Sequence, residues 1–215
     1  GTRNITMTSG GATDTPGAPH KMPTGSGADT GFTRNLGTDL SNDHPISVTF
    51  DATLANRDGE MRVPDGVVVG VRSPGIKPKL PLEPIPEVGN QPQIQCASCH
   101  DPHIREQNEA TVGNQKFLRL NRFQEKNPLS SSGLAATENS GDIICLACHD
   151  KNGISGSWAN SAHANPLVAN QTYTAAAAAQ REFPTGMPVW KAACLNCHDT
   201  HSVAGSRRLL REGTD

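Results

Sequence analysis

The chain has 215 residues, of which 34% are hydrophobic and only 4% aromatic, alongside 21 glycines and 16 prolines, too little apolar material for an ordinary core of that length. A formal net charge of -2 excludes a basic face for nucleic acid and a strong acidic field. The sequence contains no run of about 18 apolar residues, which excludes a membrane-spanning helix.

Residues 1–37 hold eight glycines, three prolines and a single histidine, His20, with almost no hydrophobic periodicity. Residues 1–43 are therefore predicted to form an arm with little regular structure of its own. In "HPISVTFDATLA" the alternation of Ile46, Val48 and Phe50 predicts a short strand. "DGVVVGVRS" at 65–73 is its expected partner in a hairpin or small sheet. Seven prolines between residues 64 and 92 exclude helix there and favour extended coil, so residues 44–92 read as a short-strand and proline-rich segment. Further on, the five alanines at 175–179 predict a short surface helix ended by Pro184.

Residues 93–215 carry the chemistry. Cys96, Cys99 and His100, then Cys145, Cys148 and His149, then Cys194, Cys197 and His198 form three Cys-x-x-Cys-His motifs that use all six cysteines. Two thiols on one tight helical turn add across the two vinyl groups of a haem, and the histidine that follows reaches the iron from the same side. A thioredoxin-like pair needs no such histidine and belongs to a βαβ pattern that is not evident here. Structural zinc takes four ligands from two pairs and leaves the third pair over. Three covalently bound haem c groups are the expectation. Each buries roughly a few hundred Å² of apolar surface, about 5–10 kcal/mol at about 25 cal/mol per Å². The expected fold class is mostly coil with short helices and a few short strands, organised around covalent haems as a single cofactor-centred domain of multihaem cytochrome c type. No stable fold is expected in the absence of haem.

The motifs start at equal intervals of 49 residues, but the better internal match has twice that period, "CASCHDPH" then "KFLRL" against "CLNCHDTH" then "RRLLR". Five histidines remain for three distal positions: His20, His44, His103, His163 and His201. His44 stands in "LSNDHPIS", where Pro45 fixes the backbone and Asn42 or Asp43 is placed to bond the ring or nearby backbone. His163 lies in "SWANSAHANP", a short helical stretch ended by Pro166, with Trp158 available to pack on a porphyrin face. His103 follows His100 by three residues, so on a continued helical turn it is displaced by about 4.5 Å along the axis and serves a neighbouring iron rather than its own. His201 repeats that placement after the third motif. With no fourth motif after it, its expected partner is a haem of the next subunit, with His20 on the arm as the alternative crossing ligand. Such a head-to-tail joint generates an open filament.

The series of an upstream "HP", a "CxxCHxPH" and a later "CxxCH" resembles multihaem c-type cytochromes with doubled motifs. The arm with His20, followed by "LSNDHPIS", is similar to the extracellular cytochromes of metal-reducing bacteria that polymerise into conducting nanowires. The resemblance covers residues about 20–52 and 94–201. It implies bis-histidine haems in a continuous stack of parallel and perpendicular pairs, with some members taking one axial ligand from the adjacent subunit. Here three motifs stand where those relatives carry more. The expected function is electron transfer without catalysis, in a subunit of an extracellular or cell-surface filament whose partners are its own copies and other redox proteins or extracellular acceptors. The opening "GTRNITMTSG" reads as a mature terminus after export. A monomeric periplasmic shuttle is the alternative. A multihaem reductase needs an iron with an open position, and no Cys-x-x-Cys-Lys variant is present to suggest one.

Overall fold

Around Phe50 the chain changes from strand to helix within two residues. In the computed structural model, which describes residues 36, 39–70, 80–103, 117–124, 143–151, 158–201, 203 and 208–211, strand β1 covers Val48–Thr49 and helix α1 covers Ala52–Asp58. The Asp51 carboxylate accepts the Leu54 N–H at 2.8 Å to start the helix. Gly59, at φ +78°, stops it by returning its N–H to the Ala55 carbonyl. Both signals stand in "DATLANRDG", where the expectation had followed the strand alternation alone.

The expected pairing of "DGVVVGVRS" with β1 is corrected. Strand β2, Val68–Val69, pairs antiparallel with β3, Leu80–Pro81, with Val68 opposite Pro81 and Val69 opposite Leu80. β1 pairs instead with β5, Gln91–Ile94, placing Val48 opposite Ile94, and β4, Glu83–Ile85, lies on the other side of β5. The segment expected as proline-rich coil thus supplies three strands. Its prolines fit because of where the ladder bonds fall. Pro92 turns its carbonyl to the Phe50 N–H, at 2.8 Å, and so away from β4, where it faces Pro84. Neither missing N–H is then needed between β4 and β5. A single 3-10 turn at Pro86–Val88 joins the two strands.

Helix α2 covers Cys96–Cys99 and α3 covers Ile144–Cys148. α3 divides the buried side chains between two faces. Ile144, Ala147 and Cys148 join Phe50, Val69, Leu80, Leu82, Ile94 and Leu120. Cys145 and Leu146 join Ile143, Ala193, Trp158 and Cys194. The alanine run forms α4, Ala175–Gln180, capped by Thr174. Helix α5, Val189–Ala192, leads into a 3-10 turn at Ala193–Asn196.

The chain divides into two compact units, one drawn from Pro45–Tyr173 and Gly186–Asn196, the other from residues up to His44, Thr174–Thr185 and Cys197 onward. Among the described residues the first contains every strand, α1, α2, α3 and α5. The second contains α4, and the division falls inside the third motif. Among the described residues no helix is long and apolar enough to cross a membrane. His20 and nearly all of the arm lie outside the described residues.

Candidate functional site

The first two Cys-x-x-Cys-His runs lie on α-helical turns and the third begins in the 3-10 turn Ala193–Asn196, but what packs against the histidine recurs at all three. In the first, the Gln95 N–H donates to the Ser98 hydroxyl at 3.0 Å, tightening the turn of α2. His100 then leaves the helix with extended backbone, φ -112° and ψ 142°, its N–H still bonded to the Cys96 carbonyl. From there it runs antiparallel to Phe117–Arg119, with His100 opposite Leu118. The Asp101 N–H donates to the Phe117 carbonyl at 2.7 Å, and the Arg119 N–H to the Cys99 carbonyl at 2.9 Å. The Arg119 side chain closes the frame, with Nη1 3.0 Å from the Asp101 carboxylate and Nε donating to the Ala97 carbonyl at 2.9 Å.

The second motif repeats this with a segment that precedes it in sequence. His149 lies opposite Met61, the Asp150 N–H donates to the Glu60 carbonyl at 2.7 Å and the Arg62 N–H to the Cys148 carbonyl at 2.7 Å. Arg62 pairs with Asp150 at 2.8 Å and donates from Nε to the Leu146 carbonyl at 2.8 Å. In the third, His198 lies opposite Leu210, Asp199 bonds the Leu209 carbonyl at 2.9 Å, Arg211 bonds the Cys197 carbonyl at 2.8 Å, and the Arg211 guanidinium pairs with Asp199 at 2.9 Å. Sequence reasoning paired "KFLRL" with "RRLLR" but gave these arginines no role, and it missed Met61–Arg62 altogether. The signal was an apolar residue followed by Arg, available three times once the Asp after each histidine was counted as its partner.

None of the six cysteines is in a disulfide. Burial pushes the Cys99 thiol up to about 11, with the Cys145 and Cys96 thiols adding to it. Burial likewise pushes Cys148 up to about 12, reinforced by Cys99 and Cys145. Cys145 is held well above its ordinary value by a hydrogen bond with Cys194 and then by burial. Cysteines of all three motifs are thus close enough to act on one another within one unit. Among the described residues no group of three His, Cys, Asp or Glu side chains is placed to hold a metal ion by itself.

The residues nonetheless fit a covalently held haem, because each motif supplies two cysteines outside any disulfide and a single imidazole after them. His198 adds a test of its own. Its Nδ1 lies 2.9 Å from the Arg208 carbonyl, which can only accept, so the neutral ring carries its proton there and presents the Nε2 lone pair outward.

The other histidines are placed as follows. His44 is half-buried, and its N–H donates to the Thr200 carbonyl at 2.8 Å. Asp43, expected to bond the His44 ring or nearby backbone, lies 3.1 Å from His201 Nδ1, and its side chain is only 4% exposed. The Asn42 carbonyl accepts the Val203 N–H, so residues 42–44 lie alongside Thr200 and Val203. His163 is exposed on a 3-10 turn, Ala162–Ala164, capped by Ser161. Gln124 ties that turn to Trp158, accepting from the indole at 2.8 Å and donating to the Ala164 carbonyl at 3.1 Å.

For His103 the geometrical expectation is corrected. The helix ends at Cys99, and Asp101, which precedes Pro102, lies outside any helix, so the three-residue spacing from His100 is not a helical one. What orients His103 is Asp101, whose carboxylate accepts its N–H at 3.0 Å and lies 3.1 Å from its Nδ1, with the ring 92% exposed. Those two hydrogen bonds hold the Asp101 carboxyl below its ordinary range.

Comparison of the chain with protein-family models, with curated proteins and with solved structures finds no match in any of the three.

Proposed function

We propose that this chain is an electron-transfer protein carrying three covalent haem c groups, one on each motif, and that it serves as a subunit of an extracellular conducting filament. What supports the haem reading is one repeated observation: at each of the three motifs two cysteines outside any disulfide are followed by a histidine bridged to a short segment that ends in arginine, and at the first two the histidine leaves an α-helical turn in extended conformation. Bound haem supplies a one-electron iron couple. The chain supplies the rest. The six cysteines hold the groups, and His100, His149 and His198 are the proximal ligands. His44, His103, His163 and His201, with His20 on the arm, are the pool from which the distal ligands come. In this reading the ligand set and burial tune the potential, and no bond of a substrate is broken.

The ferric spin state tests this function against catalysis. All three irons are expected to be six-coordinate and low-spin, with no cyanide uptake by the native protein. A high-spin ferric signal, or cyanide binding without unfolding, points to a multihaem reductase with an open iron position instead.

A further inference from the structure

We propose that Arg62, Arg119 and Arg211 are positioning residues for the three proximal histidines, each acting through the aspartate that follows the histidine in sequence. The proposal rests on the haem reading above and adds a device that the motif itself does not contain. Three independent features carry it.

First, the same contacts recur at all three motifs: a bridge to the histidine, a bond from Asp N–H, a bond to the second cysteine's carbonyl, and an Arg–Asp pair. The clamping segment follows the first and third motifs but precedes the second, so the arrangement is not a by-product of one chain connection. Second, Phe117 and Leu209 occupy the same clamp position and both have left-handed backbone, at φ 61° and 54°. Neither residue type adopts that conformation readily, so surrounding structure holds it. Third, the pair at the third motif is shielded. Arg211 and Asp199 are 11% and 15% exposed, which leaves little solvent to screen them.

Two consequences follow for a haem held by such a motif. The clamp fixes the backbone of the histidine, and with it the direction of the imidazole. The guanidinium also neutralises a carboxylate one residue from the iron ligand. Without it, that negative charge favours the ferric state, which is the more positive, and lowers the reduction potential of that one haem.

The test is spectroscopic redox titration of the haem-loaded full chain in four forms: unaltered, Arg211→Gln, Arg211→Lys, and Arg211→Gln combined with Asp199→Asn. Arg211→Gln is expected to move one-third of the titration to lower potential. The double variant returns it toward the unaltered curve, because the charge left behind has been removed. Arg211→Lys keeps the charge and shifts less than Arg211→Gln. Arg62→Gln with and without Asp150→Asn repeats the comparison on the second motif, so a folding defect at one clamp does not decide the outcome. Superimposable curves for the single variants, or double variants no closer to the unaltered protein than the singles, overturn the proposal. Fewer than three haems on the unaltered chain overturns the haem reading first, and the clamp proposal with it.

Discussion

Replacing His44 or His163 with alanine is expected to turn one iron of the three high-spin while the number of attached haems stays at three. Attachment depends on the thiols, so the covalent count is insulated from a distal change. The sixth ligand is not. At His44 the backbone is pinned independently of the ring, by its N–H on Thr200, by Pro45 after it and by the Asp43 contact with His201 before it. Removing the imidazole therefore takes away a ligand and leaves the loop. At His163 the turn is held by Ser161 and by Gln124 on the Ala164 carbonyl, and alanine is already its neighbour on both sides. An electron paramagnetic resonance spectrum of the ferric protein reads the change directly. Unaltered spectra in both variants contradict the distal assignments of both histidines.

The other large effect is expected on assembly. His20→Ala and His201→Ala each test whether an iron ligand crosses between subunits, as the proposed filament requires. His201 has the orientation for ligation, since its Nδ1 faces the Asp43 carboxylate and the neutral ring then presents Nε2 as the lone-pair nitrogen. A ligand bond at each joint favours the assembled state far more than a weak surface contact does. The variant that removes the crossing ligand should shorten the polymers to small oligomers or monomers and alter one haem per subunit. His201→Ala also strips a hydrogen bond from a carboxylate that is only 4% exposed, so a thermal melt of the monomer is needed beside it. Normal polymers and unaltered spectra for both variants show that neither histidine crosses the joint. A parent protein that is monomeric under native conditions favours the periplasmic shuttle.

The Cys-x-x-Cys-His motifs were legible because the chemistry they suggest is local: two thiols and one histidine within five residues. The clamps were legible only in part. "KFLRL" and "RRLLR" follow their motifs in one register, so comparing the sequence with itself finds them, whereas Met61–Arg62 lies far upstream of His149 and only the fold brings it there. Strand pairing was harder still. Val68 and Val69 have the same local pattern whether they face Val48 or Leu80, and the choice depends on the edge that β5 occupies. The prolines misled for a related reason. Their cost depends on which side of the strand needs an N–H, and Pro84 opposite Pro92 needs none between β4 and β5. At His103 the spacing was read as helical, but a helix that ends at Cys99 hands control of the ring to Asp101.

The central claim is tested most directly by the mass of the denatured, fully matured protein. Denaturation removes every non-covalent ligand and leaves thioether-linked haem in place. The account predicts the 22.7 kDa polypeptide plus three haem masses. It further predicts that alanine at both Cys145 and Cys148 removes one of the three. The bare polypeptide mass, or any increment short of three haems on the unaltered chain, contradicts it.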